Sequence, residues 1–250
     1  MQLYIGTSGW MYKDWNDNFY PKGLKSNDQL PYYAEQFKTV EVNSSFYRMP
    51  AATNAPRWHK VTPKDFVFTI KLGRYITHTK RLLIDELSDD YLREFIERMK
   101  PLREKFAVLL IQLPPSLRCE PERFEVLVKQ INKYRRKNGL NFKTAVEFRH
   151  KTWFEPEVFK LLDRLDVSNV IIDSPGRWPA NTQITGSLAY IRFHGGEKLY
   201  ASSYSDKDLK KWADFIKTKA ANCQQVFVYF NNDYYAYAID NAKTLSEFLV

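Results

Sequence analysis

Cysteine is scarce in this chain. Cys119 and Cys223 are the only two, more than a hundred residues apart, and neither belongs to a CxxC pair or a histidine-rich stretch. Such spacing argues against a disulfide framework or a thiolate metal site, so two free thiols in a reducing, cytoplasmic compartment are expected. Long hydrophobic runs are also missing. No stretch approaches the roughly 18 uninterrupted apolar residues of a membrane span. The first ten residues, MQLYIGTSGW, have neither a basic region nor a long apolar run and do not read as a signal peptide. Histidine is limited to His59, His78, His150 and His194, with no H-x-H or H-E-x-x-H spacing, so spacing gives a metal site little support. A site pairing His150 or His194 with Glu147 or Asp173 is the one metal arrangement left open. No Walker-type GK[ST] follows the glycines near the N-terminus, and no other organic-cofactor motif occurs. No Pro/Gly/Ser linker, composition break or repeat divides the chain.

What is present is an ordinary globular mixture with two departures. Of 250 residues, 44% are hydrophobic and 27% charged, enough to bury a core without disulfide or metal. The net charge is +9 and aromatics reach 16%, which together suggest an anionic partner and flat surfaces to stack on. Short β-rich runs alternate with helical stripes throughout. Strands are predicted at Leu3–Ile5, Thr39–Asn43, Phe66–Lys71, Ala107–Leu113, Thr144–Phe148, Asn169–Asp173, Leu188–Phe193 and Val226–Phe230. Several are continuous apolar runs, as parallel strands covered on both faces require.

Helices are predicted around Leu30–Phe37, Leu92–Leu102 with Ser88 as N-cap, Phe124–Ile131, Val158–Leu165, Leu209–Ile216 behind a Ser205/Asp208 capping box, and from about Tyr237. Eight strand–helix alternations in one 250-residue unit point to an α/β fold, a TIM-type (β/α)8 barrel, regular or not, forming a single domain over residues 1–250. An open doubly wound sheet is the alternative. The irregular segments 9–29, 73–86, 174–186 and 195–205 mostly follow strands, which in a barrel gathers them, with Trp10, Tyr12, Trp15, Tyr75, Trp178, Tyr200 and Tyr204, around the C-terminal face.

The strands end in polar residues. Glu41 and Asn43, Lys71, Gln112, Glu147, Arg149 and His150, Asp173, Arg192 and His194, and Asn231 all lie at or just past strand C-termini. Residues two apart on a strand share a face, and ions facing the apolar helix layer would be costly, so the barrel interior is the better place for these side chains. Glu41, Glu147 and Asp173 balance Lys71, Arg149 and Arg192, three charges against three. A satisfied ion-pair plug and a ligand site are both compatible with that balance. The ligand reading makes Glu147, His194 and Glu41 the candidate catalytic groups. Asn43, Lys71, Gln112, Arg149, His150, Asp173, Arg192 and Asn231 would bind substrate, and Trp10, Phe46, Trp153 and Trp178 would wall the pocket.

The motifs GTSGW (6–10), EVNSSFY (41–47), QLPP (112–115), EFRHKTW (147–153), YIRFHG (190–195) and YFNND (229–233) together resemble the YecE-like proteins, the family labelled domain of unknown function number seventy-two. The match runs in order along nearly the whole chain. It implies a (β/α)8 barrel and leaves the activity open. The reading of the residues favours an enzyme, a hydrolase or lyase, acting on a small anionic or sugar-like ligand. Its rivals are a nucleic-acid-binding protein, using the basic surplus for phosphates and aromatics for bases in distant likeness to the endonuclease-four class, and a catalytically inactive scaffold. No membrane partner is expected, and the sequence leaves the oligomeric state open.

Overall fold

The computed structural model describes residues 1–250. Eight parallel strands close into one barrel in chain order: β1 (Gln2–Thr7), β2 (Thr39–Val42), β3 (Val67–Lys71), β4 (Phe106–Gln112), β5 (Lys143–Glu147), β6 (Val167–Asp173), β7 (Leu188–Phe193) and β8 (Gln225–Phe230). All eight predicted strands are there, within a residue or two at each end. The helices are α1 (Ser26–Gln36), α2 (Ser44–Tyr47), α3 (Asn54–Val61), α4 (Glu86–Met99), α5 (Pro121–Lys137), α6 (Pro156–Leu165), α7 (Asp206–Lys219) and α8 (Tyr237–Leu249). The short α2 and α3 share the β2–β3 connection. The β6–β7 connection has no helix, so one gap in the outer ring is filled by a loop carrying Trp178.

Strand alternation sorts the side chains into two cores. Outward-facing Val40, Ile70, Leu109, Val146, Ile171, Ile191 and Val228 pack beneath helix residues such as Leu92, Leu127, Leu162 and Leu209. Inward-facing Tyr4, Val108, Leu110, Ala145, Val170, Tyr190, Phe227 and Tyr229 fill the barrel. Capping fixes where helices begin. Asp85, rather than Ser88, caps α4: its side chain accepts from Ser88 N at 2.9 Å while Ser88 Oγ accepts from Asp85 N at 2.8 Å. Ser88 therefore occupies the third position of a capping box, and the cap stands three residues before the expected one. Ser205 caps α7 as its S-x-x-D spacing predicts. The basic run Arg135–Lys137 ends α5, where cations meet the negative end of the helix dipole.

The weakest seam lies between β1 and β2, which share one register pair, Thr7 with Val40. The buried Tyr33 hydroxyl of α1 enters this seam, accepting from Thr7 N at 2.9 Å and donating to the Thr39 carbonyl at 3.1 Å. Gly6 permits that approach, because a Cβ there would overlap the Thr39 carbonyl. Tyr33→Phe strands a buried amide and carbonyl, and we expect it to lower unfolding free energy by about 1–3 kcal/mol. Chemical denaturation reads this directly, and an unchanged midpoint would show that the seam does not depend on the hydroxyl.

Candidate active site

Arg192, the third inward residue of β7, is the centre of the mouth. It is 1% exposed and bridges two fully buried carboxylates, donating through Nη2 to Glu41 Oε1 at 2.6 Å and through Nη1 to Glu147 Oε2. All three groups come from inward-facing positions near the C-terminal ends of their strands, and the hydrogen bonds between them join β2, β5 and β7 across the barrel. Each oxygen of both carboxylates accepts at least one hydrogen bond. Glu41 takes Ser8 Oγ at 2.8 Å, Asn43 Nδ2 at 3.1 Å and Tyr190 Oη at 2.6 Å. Glu147 takes Arg149 Nε at 2.6 Å. Below them Tyr229 Oη bonds Thr39 and Thr69. Two carboxylates and two guanidiniums thus form a closed, neutral floor.

Above this floor opens a cavity of about 480 Å³. Lys71, Gln112, Arg149, Arg192 and Asn231 reach it from the strand ends, and Tyr12, Phe46, Tyr47, His78, Tyr200 and Asp233 from the loops. Arg149 is held by Glu147 on one edge, has the Trp178 ring 3.8 Å from its guanidinium carbon, and has the Tyr200 hydroxyl beside it. Its terminal nitrogens make no ion pair of their own. Lys71 Nζ lies 4.2 Å from the Phe46 ring centre and makes neither a hydrogen bond nor an ion pair. Asp233 Oδ1, Asn43 Oδ1 and Arg192 Nε are buried without partners, and unpaired buried polar atoms at a cavity mark where a ligand or water is wanted.

The floor and the cavity differ in how they hold protons. Burial by itself would raise Glu147, yet Arg149 and Arg192 keep its carboxyl well below the usual carboxylate range. His194 is held neutral by burial, with Arg192 adding to the effect. Its Nδ1 meets Asn231 Nδ2 at 3.1 Å, its Nε2 has no protein partner, and its ring stands edge-on to Trp178 and Tyr200. Gly195 follows at φ +105°, where a Cβ would overlap the Lys198 carbonyl. Two groups titrate close to neutrality. Burial, reinforced by Arg192 and opposed by Glu147 and Glu41, pulls Lys71 down to about 7. Burial, reinforced by Glu41 and opposed by the Tyr12 hydroxyl, pushes Asp233 up to about 8.

The structure thus brings Glu41, Asn43, Lys71, Gln112, Glu147, Arg149, Arg192, His194 and Asn231 together, with Phe46 and Trp178 as walls. Four expected members lie elsewhere. Asp173 follows inward-facing Ile172 and so faces the helix layer, where its Oδ2 accepts from Trp212 Nε1 at 2.8 Å and lines a separate cleft with Ser205 and Asp208. Trp153 is fully buried, stacked on Phe148 and donating to the Leu117 carbonyl at 2.9 Å. His150 turns its Nδ1 to Thr152 Oγ1 at 2.9 Å and caps the short helical turn there. Trp10 packs edge-on against Trp58. Trp15 and Tyr204 are likewise core rather than mouth. Tyr12 and Tyr200 line the mouth where the sequence reading gathered its aromatics, while Asp233 and His78 were not assigned to the site. For Asp233 a signal existed, because it shares the two-residue spacing of Tyr229 and Asn231. No three of His, Cys, Asp and Glu converge as a metal-ligand group.

Comparison with known proteins adds the family. The model of the family described as "Protein of unknown function DUF72" matches residues 4–250. UPF0759 protein YunF of Bacillus subtilis is 27% identical over 99% of this chain and 94% of its own length. UPF0759 protein YecE of Escherichia coli is 29% identical over 69% of this chain and 59% of its own. The crystal structure of a DUF72 family protein from Thermotoga maritima superposes with a TM-score of 0.82 at 28% identity, covering 100% of this chain and 99% of that one.

The two classes of group give different mutational signatures. Glu147→Gln leaves Arg149 and Arg192 facing a neutral amide, and we expect a loss of about 3–5 kcal/mol in unfolding free energy. A fully stable variant would show that the floor is not an ion-pair network. Asp233 behaves oppositely. Its folded-state value lies above its unfolded one of about 3.9, so its contribution to stability is complete at acid pH and is lost as pH rises to about 8. Asp233→Asn should therefore flatten the fall in thermal stability between acid and pH 8, and a fall as steep as wild type would place the titrating group elsewhere.

Proposed function

The chain belongs to the DUF72 family, and on that footing we propose that it binds a small anionic or sugar-like molecule at the C-terminal mouth of its barrel and acts on it by proton transfer, as a hydrolase or lyase. The observation that carries this reading is a 480 Å³ cavity lined by Lys71, which has no ion-pair partner, by Arg149, whose terminal nitrogens make no ion pair, and by the unpartnered Asn43 Oδ1, above the Glu41–Arg192–Glu147 ion pairs. That volume suits a metabolite, since such sites run to about 300–1,000 Å³. The position, at the C-terminal ends of barrel strands, is where this architecture keeps its reactive groups.

Arg149 supplies the anion contact. It lines the cavity with its terminal nitrogens free of ion pairs, while Glu147 and Trp178 fix its plane, leaving a forked donor that loses little freedom on binding. Asn43, Gln112 and Asn231 orient the rest of the ligand. Glu147, Glu41 and His194 do not move protons in this scheme: both carboxylates are ion-paired and the imidazole is walled in. The proton work falls to Lys71 and Asp233, whose values lie close to the operating pH.

A small ligand is favoured over nucleic acid by the fate of the aromatics. Trp10, Trp15 and Tyr204 are buried in packing and offer no face to a base. Much of the basic surplus, including Lys129, Lys133, Arg136, Lys207, Lys210 and Lys217, is exposed on the outer helices α5 and α7. An inactive scaffold does not require a cavity edged by titrating groups. No helix of the structure is long and apolar enough to cross a membrane.

Binding of inorganic phosphate, acetate and sugar phosphates, read by thermal shift, tests the proposal. An anion that fits should stabilise by about 2.7 kcal/mol at a hundredfold excess over its Kd, a rise of several degrees. Arg149→Met should remove that rise. No shift with any anion, or an undiminished shift in the variant, would overturn the assignment.

A further inference from the structure

We infer that the ligand of this mouth carries a carbonyl group beside its negative charge, and that Lys71 Nζ joins the carbonyl carbon as an imine. This rests on the anion-binding reading above and names the ligand class: an aldehyde or ketone bearing a carboxylate or phosphate.

Geometry singles out Lys71. It is the one amine lining the cavity, and its stem is gripped by the barrel so that the residue is 7% exposed. Nζ itself is not sealed, since it is absent from the buried unpartnered atoms and reaches the space above the floor. A lysine kept as a fixed cation would be expected against a carboxylate. Here Glu41 and Glu147, the two carboxylates within reach on β2 and β5, are already committed to Arg192 and Arg149. The other groups around Nζ are Phe46 of α2 at 4.2 Å, His78 from the 75–79 turn, and the two guanidiniums. Crowding an amine among other cations in a place with little water is one way proteins keep it unprotonated and nucleophilic. The value near 7 agrees with that arrangement.

The cavity also holds a proton source. Neutral Asp233 lines the same space, with Oδ1 unpartnered. Lys71 Nζ donates its lone pair to the carbonyl carbon, a C–N bond forms, and the carbonyl oxygen takes up one proton from Nζ to give a carbinolamine. The C–O bond then breaks. The oxygen departs as water with a second proton from Asp233, leaving a protonated imine on Lys71 and a carboxylate on Asp233. No oxidant or reductant is required. Arg149 holds the anionic end meanwhile. The protonated imine is an electron sink, so a bond to the adjacent carbon can lose a proton or a carbon fragment, which is lyase-type chemistry.

Reductive trapping tests this on the wild-type protein. With glyoxylate as probe and cyanoborohydride at about pH 7, ordinary lysines with values near 10.4 are almost wholly protonated. Peptide mapping should find the reduced adduct on Lys71 at a rate about a hundredfold above exposed lysines such as Lys133. Phosphate should slow it, and neutral glycolaldehyde should label it poorly. Lys71→Arg should lose the adduct. If phosphate and glyoxylate compete for the mouth yet Lys71 is labelled no faster than Lys133, the imine is wrong and anion binding stands. If neither anion binds wild type, both fall.

Discussion

Arg192 lies inside a closed barrel, at the level where the strands give way to loops, and holds two carboxylates from strands on either side. Taking ions out of water costs several kcal/mol each even after relaxation. The arrangement is therefore stable only if both glutamates and the guanidinium meet at hydrogen-bond distance. That requirement reaches far. It fixes the relative heights of β2, β5 and β7, it recruits Ser8, Asn43, Tyr190 and Arg149 to satisfy the remaining lone pairs, and it seals the apolar interior beneath from solvent.

The same closure decides what the mouth can do. A carboxylate that accepts from two guanidiniums is a poor base, and one whose oxygens are all occupied is a poor nucleophile. Glu147 and Glu41 thus serve as architecture, although their residue type and position invite an acid–base role. Their commitment leaves Lys71 without a counter-ion and Asp233 under a nearby negative charge. Both are pushed toward neutrality. An ion-pair plug and a ligand site, which read as alternatives in the sequence, are compatible in this geometry: the plug forms the floor, and the cavity above it is the site we propose.

Much of this was legible in the chain. The eight strands announced themselves because continuous apolar runs ending in polar residues have few other uses. The two-residue spacing of Glu41/Asn43, Glu147/Arg149 and Arg192/His194 assigned the correct face. Asp173 failed by one residue, since β6 presents Ile172 inward at its end, and only register reveals that. Trp10 and Trp153 failed because an aromatic beside a strand end suits a wall and a core equally well. Asp233 could have been counted from Tyr229 and Asn231. Tyr12 and Tyr200 could be placed at the mouth because their loops follow strands, whereas His78 sits on a loop where no period fixes direction. That Lys71 lacks a partner depends on hydrogen bonds made by three other strands, and no local pattern encodes it.

The central claim is that the closed floor leaves Lys71 without a counter-ion, so that it loses its proton near neutral pH. Nuclear magnetic resonance of the protein with isotopically labelled lysine side chains measures this without ligand or variant. The account predicts one lysine resonance titrating near 7, assigned to Lys71, apart from the remainder near 10.4. A Lys71 resonance that titrates with the others would contradict it.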